Sequence, residues 1–349
     1  MTTFNITRLI FLLTLAFAFS FFLTPVLTHF LYKYKLRKKI RNSGATPIFS
    51  SLHAHKEGTP TMGGILIWFT VLFFCAFFYF ASLCFPDSWL AHLNFLSRPE
   101  TFLPLGVLLA SALIGLLDDW LDIRGLGVKG GGGLKLRHRL LVYLIIAVLA
   151  ALWFYFKLDW TVLHLTFLGS FEIGWWYIPV FVFIIVATAF SVNETDGLDG
   201  LAGGTLMIAY GAFAMICFSL GRYDLAAFCA VILGALLSFL WFNIPPARFY
   251  MGDTGSMSLG ITLGVIAMLT NNALLLIPIG FVFLVESLSV IIQILSKKIF
   301  KKKVFRSAPI HHHFQAVGWS EAKIVMRFWV VAGVFAALGL MIFLLDKNW

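Results

Sequence analysis

The sequence predicts an all-α integral membrane protein of ten transmembrane helices, and three observations carry that prediction. Sixty per cent of its 349 residues are hydrophobic and only 12% are charged, against roughly 25% charged in a soluble domain. The mean hydropathy is +0.92, and the length divides into about ten apolar runs of roughly 20 residues with loops between them. Finally, the cations are lopsided: 21 of the 26 Lys and Arg lie in the loops and helix ends that follow the odd-numbered runs.

The expected helices cover residues 8–32, 61–85, 102–118, 139–157, 175–192, 200–220, 225–242, 255–271, 273–296 and 324–345. Residues 1–349 then form one polytopic membrane domain. The first run, Leu9–Leu31, is too long for a signal-peptide core and lacks a small-residue cleavage site, so it reads as a retained helix. The positive-inside rule puts the basic loops in the cytoplasm and both termini on the outer, periplasmic side. The net charge of +10 therefore records topology, and no nucleic-acid partner is expected. Lys297–Lys303 reads first as part of that topology, with binding of anionic headgroups as the lesser alternative. The four cysteines, Cys75, Cys84, Cys217 and Cys229, form no paired motif and read as small core residues. No internal repeat stands out.

Chemistry gathers in the basic loops. Asn193–Gly204 reads NETDGLDGLAGG between two apolar runs. Acids at the mouth of a membrane helix are costly and point to function. Asn193, Asp196 and Asp199 recur every three residues and would form one drifting stripe on a helix. Upstream, Lys56, Thr59, Thr61 and a Gly63-Gly64 helix start suit a phosphate, because free N–H groups and the helix dipole would face it. A plain capped helix start fits these residues as well.

Asp118 and Asp119 close the third helix. Paired carboxylates suit Mg2+, which takes one or two of them along with substrate phosphates. Neighbours on a helix point about 100° apart, so different roles are expected for the two. In WFNIPPARFYMGDTGS, residues 241–256, the prolines break a helix and Asp253 occupies a Gly-flanked turn. Glu286 and Gln293 share a face of the ninth helix, either as a helix contact or as a substrate wall. The run His311-His312-His313 lacks zinc-ligand spacing and suits hydrogen bonds to phosphate or base. Acids, amides and cations on one membrane face, without a nucleophile triad, fit phosphoryl transfer or transport.

The blocks HKEGTPTMGG, LLDDW, NETDGLDGLAGG, WFNIPPARFYMGDTGS, ESLSVIIQ and APIHHHF resemble the phospho-N-acetylmuramoyl-pentapeptide transferases, within the polyprenyl-phosphate N-acetylhexosamine-1-phosphate transferases. APIHHHF is the most specific of these blocks. The resemblance implies ten spans, a homodimer in the bacterial inner membrane, a cytoplasmic active site and Mg2+. It also implies transfer of phospho-MurNAc-pentapeptide from UDP-MurNAc-pentapeptide to undecaprenyl phosphate, giving lipid I and UMP. By motif position Asp118 and Asp119 fall on the catalytic acid pair and Asp253 on the metal-binding aspartate. Lys56, Thr61, Asn193, Asp196, Asp199, Asn243, Tyr250, Gln293 and Ala308 fall on substrate positions. His312 falls near the nucleotide, with His311 and His313 completing the catalytic triplet.

Some residues depart from that pattern. Asp122 stands where a Lys is usual, Glu194 replaces a Leu, and Tyr250 replaces a Phe that stacks on uracil. The loop 124–139 is Gly-rich, and Arg137 and Arg139 are weak substitutes for the family's loop lysine. The competing readings are a GlcNAc-1-phosphate transferase, against which residues 306–323 speak, and a lipid-linked substrate transporter, whose repeats are missing.

Overall fold

The structure, a computed structural model, describes residues 2–37, 58–96, 99–126 and 133–347. The chain is built from helices: α1 Thr2–Lys33, α2 Ile65–Cys84, α3 Pro99–Arg124, α4 Leu136–Lys157, α5 Tyr177–Thr195, α6 Leu201–Ser219, α7 Tyr223–Asn243 and α8 Asp253–Leu269. There follow α9 Leu276–Ile279, α10 Phe281–Ile299, the short α11 Ile310–Ala316 and α12 Glu321–Lys347. Among the described residues, eight helices are long and apolar enough to cross a membrane, or nine if one bent pair counts as a single span. A predominantly helical membrane protein is thus what the composition predicts and what the chain forms.

The eighth expected span, residues 255–271, is α8, and at 17 residues it is shorter than the helices counted as spans. Every one of its residues is buried. Its glycines permit this: a Cβ at Gly260 would lie 3.0 Å from Ala189 Cα on α5. Its hydroxyls bond back along the helix, Ser258 to the Thr254 carbonyl at 2.6 Å and Thr262 to the Ser258 carbonyl at 2.7 Å. A helix of small residues with internally satisfied hydroxyls can sit at the centre of a bundle. The outer helices show the opposite pattern, exposing large side chains such as Phe22, Phe80, Leu149 and Phe183, which suits lipid rather than water.

The expected helices and the structure differ in four places. The span expected over 273–296 is broken: Ala273–Ile279 and Phe281–Ile299 meet at 85°. Gly280 sits at the break, where a Cβ would stand 2.7 Å from the Leu276 carbonyl oxygen, and Pro278 two residues earlier lacks an amide donor. The third helix does not end at residue 118 but runs to Arg124, leaving Asp118, Asp119 and Asp122 inside its last turns. The stripe expected of Asn193, Asp196 and Asp199 does not form. The helix ends at Thr195, and Gly200 is left-handed with φ 80°, so the three side chains diverge.

The fourth difference is a hairpin. Val162–Leu165 (β1) and Gly169–Glu172 (β2) pair antiparallel between α4 and α5, with Val162 opposite Glu172. It is pinned to the end of α12, where His164 Nε2 lies 2.6 Å from Asp346 Oδ2.

Candidate active site

Three helix ends and the first turn of a fourth converge on one buried cluster. Asp118, on α3, is fully buried and meets Arg139 Nε at 2.7 Å through Oδ2. Its Oδ1 accepts the Leu134 N–H. From the other side Asp253, the first residue of α8, meets Arg139 Nη2 at 2.8 Å. Asn193, in the last turn of α5, donates Nδ2 to Asp253 Oδ1 at 2.7 Å and to Ser256 Oγ at 2.9 Å. Two carboxylates out of water need a cation between them, and the guanidinium supplies it with two charge-assisted bonds.

Asp119 has a different task, as expected for adjacent helix positions. Its carboxylate accepts the backbone N–H of Asp253 at 3.1 Å and of Thr254 at 3.0 Å, capping α8. The Thr61 hydroxyl lies at the limit of hydrogen bonding to it, 3.5 Å away. Gly252 turns the chain there with φ 75°, and a Cβ on it would stand 2.5 Å from Asp119 Oδ2.

The Gly63-Gly64 start does not offer its amides to a phosphate. Gly63 N–H donates to the Tyr250 carbonyl and Gly64 N–H to the Met251 carbonyl, each at 2.8 Å. The glycines instead let α2 close on the loop before α8: a Cβ at Gly63 would lie 2.3 Å from the buried Phe249 ring. Lys56 lies outside the described residues.

A second cluster joins the 196–200 turn to the 244–252 loop. Asn243 accepts the Gly200 N–H at 2.9 Å and donates to the Phe249 carbonyl at 2.8 Å. Asp199 Oδ2 accepts the Ala247 N–H at 3.1 Å, and Asp199 N–H donates to Glu321 Oε1 at 2.7 Å. Tyr250 is half-buried on that loop, and its phenol meets the Thr59 hydroxyl. Burial pushes that phenol up to about 12. Asp196 is half-buried and closes α5 as its C-cap.

The histidines take different partners, although the His311 and His312 rings touch edge to face with centroids 4.1 Å apart. His311 is buried, with Nδ1 2.9 Å from Glu286 Oε2, itself fully buried. A Cβ at Gly197 would stand 2.3 Å from His311 Nε2, so the turn of the acidic motif packs directly on this ring. His312 Nδ1 lies 2.8 Å from Gln315 Oε1, and His313 Nδ1 accepts the Arg306 N–H at 3.2 Å. Gln293 is spent on the preceding loop: its amide accepts from Val304 and Phe305 N–H and donates to the Phe305 carbonyl. Ala308, half-buried, precedes a cis Pro309 at the entry to α11.

The site therefore brings Asp118, Asp119, Asp253, Asn193 and Thr61 together. Asn243, Asp199 and Tyr250 form its neighbouring wall. Three participants had little sequence signal. Arg139 follows a Gly-rich loop and stands in the sequence only as a weak substitute for the family's loop lysine. Glu286 had only its shared face with Gln293. Glu321 began a helix, where an acid is ordinary.

The donor set suits a hard divalent cation. Asp118, Asp253 and the Asn193 carbonyl are oxygen donors around one cation position, now spanned by a guanidinium. Among the described residues no group of three or more His, Cys, Asp or Glu converges as a metal cage. Mg2+ needs none, because it keeps positions for water and phosphate.

Residues 101–271 match the model of glycosyl transferase family 4. Residues 56–67 match phospho-N-acetylmuramoyl-pentapeptide-transferase signature 1. Among curated relatives, the phospho-N-acetylmuramoyl-pentapeptide-transferase of Bacillus pumilus is 39% identical over 96% of this chain and 97% of its own. Those of Geobacillus thermodenitrificans and Bacillus subtilis are 39% and 37% identical, over 95% and 96% of this chain and 98% and 97% of theirs. With identity at that level from end to end, the chain belongs to the phospho-N-acetylmuramoyl-pentapeptide-transferase family.

Proposed function

We propose that this protein transfers phospho-MurNAc-pentapeptide from UDP-MurNAc-pentapeptide to undecaprenyl phosphate, releasing UMP and making lipid I for peptidoglycan synthesis. The observation that carries the reading is the buried cluster of Asp118, Arg139, Asp253 and Asn193 in a chain of this family. On this reading the protein is a homodimer with ten spans in the bacterial inner membrane. The clustered acids face the cytoplasm and both termini the periplasm, so a cytoplasm-active reporter fused after Trp349 stays silent.

The reaction is a direct displacement. An oxygen of the lipid phosphate attacks the β-phosphorus of the UDP-sugar, the bond from that phosphorus to the bridging oxygen breaks, and UMP leaves with the bond's electron pair. A phosphate monoester has a second pKa of about 6, so the acceptor is already largely a dianion at neutral pH. An aspartate is the weaker nucleophile. Those present are also engaged, Asp253 by Arg139 and Asn193, and Asp118 by Arg139 and Leu134.

Repulsion between two anionic phosphates is the main obstacle. Arg139 and Lys56 offset it, and His311, oriented by Glu286, bonds a phosphate oxygen. Asp118 orients the acceptor or takes its remaining proton. Asp253 would hold Mg2+, with Asn193 and Asp118 beside it, and the ion's contribution is to neutralise diphosphate charge. Tyr250 stacks on uracil, with Asn243, Asp196, Asp199, Gln293, Ala308 and His312 shaping the nucleotide side.

The test is UMP release by purified protein with undecaprenyl phosphate and either UDP-MurNAc-pentapeptide or UDP-GlcNAc. Release with the first donor alone is expected. Release only with UDP-GlcNAc assigns the protein to the other transferases, and none with either, alongside lipid movement in vesicles, assigns it to transport.

A further inference from the structure

We propose that a groove between the end of α1 and the loop after α7 binds the phosphodiester headgroup of an anionic membrane phospholipid. A cavity of about 660 Å3 lies there, lined by Pro25, Thr28, His29, Tyr32, Lys33 and Arg248. The first five are spaced three and four apart and share one face of α1. Arg248 closes the groove from the facing loop. None of the six is acidic, and two are fixed cations.

Arg248 is held in place. Its N–H donates to the Phe242 carbonyl at 2.9 Å. Its own carbonyl accepts the Tyr32 hydroxyl at 3.1 Å, and its guanidinium stands 5.4 Å from the Phe242 ring centroid. Arg37 adds a further cation at the rim, 6.0 Å from the Tyr32 ring centroid.

The surroundings choose a lipid over a soluble anion. On the same side of α1, toward the bilayer, Phe22 is 77% exposed, and Trp241 on α7 is 67% exposed. The Phe21 and Trp241 rings touch edge to face with centroids 6.0 Å apart. Val26 and Ile244 are exposed beside them. A basic rim above an aromatic and aliphatic floor matches a headgroup with its acyl chains below. A lipid of net negative charge gains from the cations, whereas a zwitterionic one carries its own ammonium.

The placement gives the groove a consequence. Arg248 lies two residues before Tyr250 and five before Asp253, on the loop whose carbonyls receive Gly63 and Gly64. An occupied groove steadies the loop that opens α8. The proposal needs only membrane insertion and stands apart from the reaction.

The test uses the full chain in detergent, with bound lipids counted by native mass spectrometry and stability followed by thermal unfolding. Phosphatidylglycerol, phosphatidylcholine, inorganic phosphate and undecaprenyl phosphate are compared. Wild type should retain phosphatidylglycerol, and His29→Gln/Lys33→Gln/Arg248→Gln should weaken it on the order of tenfold. Arg124→Gln, which removes an exposed cation outside the groove, and the charge-conserving Arg248→Lys should stay near wild type. Should the triple variant fail to fold, Lys33→Gln and Arg248→Gln must each weaken binding severalfold. Four results would overturn the proposal. They are equal loss in Arg124→Gln, phosphatidylcholine bound as tightly, equal protection by inorganic phosphate, or stoichiometric displacement by undecaprenyl phosphate, which would assign the groove to the acceptor.

Discussion

Asp119 accepts the backbone N–H of Asp253 at 3.1 Å. One acid of the adjacent pair thus caps the helix that begins with the acid of another loop. The cap fixes where the Asp253 side chain leaves α8, and through it the position of Arg139. Asp119→Ala leaves the N–H groups of Asp253 and Thr254 without this acceptor in a buried place. Stability should fall by about 2 kcal/mol, and activity should fall with it. Asp119→Asn, which keeps one acceptor oxygen, should recover part of both. Thermal unfolding and UMP release measure the pair, and an unchanged midpoint in Asp119→Ala would remove the capping role.

Arg139 is the counter-ion of two buried acids. Arg139→Gln should cost about 3 kcal/mol, because it leaves Asp118 and Asp253 facing each other without a cation. Added Mg2+ should return part of the lost stability in that variant and change wild type less. Arg139→Lys keeps the charge but loses the two-pronged geometry, so its loss should be smaller. Midpoints with and without metal decide this, and equal metal response in both proteins would count against a shared cation position.

Tyr250 carries both a binding and a pH expectation. Tyr250→Ala should weaken nucleoside binding by about 1 kcal/mol if the ring stacks on uracil. Burial holds its phenol protonated up to about 12, against about 10 in an unfolded chain. The folded state then binds more protons than the unfolded one between those values, so stability drops as pH rises through that window. Below it the contribution is constant. Relative to Tyr250→Phe, wild type should lose stability only above about pH 10. A divergence beginning near neutrality would contradict the burial argument.

Gly197 is a contact residue. A Cβ there would lie 2.3 Å from His311 Nε2, so Gly197→Ala must push the ring off its Glu286 partner or move the turn, at about 1–3 kcal/mol. Activity should fall steeply. A double-mutant cycle with His311→Ala should be strongly non-additive, since the clash vanishes with the ring. Additive losses would place the effect of Gly197 elsewhere.

Direct displacement makes a demand on isotope exchange. Protein freed of undecaprenyl phosphate should neither release UMP stoichiometrically nor exchange labelled UMP into the UDP-sugar. Either event, or a phospho-sugar trapped on an aspartate, would replace the direct route with a two-step one.

Composition and periodicity by themselves determined that this is a helical membrane protein, because apolar length is a local property that the bilayer reads directly. They also located the reactive loops, since polar groups at a membrane face are costly enough to stand out. The motifs single out Asp118, Asp119 and Asp253, and adjacency on a helix already requires the first pair to diverge.

Only the tertiary structure decided how those residues are used. Asp119 became a cap, Gly63 and Gly64 became packing contacts rather than anion donors, and Gln293 became a brace for residues 304–305. Arg139 and Glu286 acquired partners 114 and 25 residues away in the chain. Such pairings follow from which helix ends meet. That depends on the burial of α8 and the bend at Gly280, and neither leaves a periodic trace in the sequence.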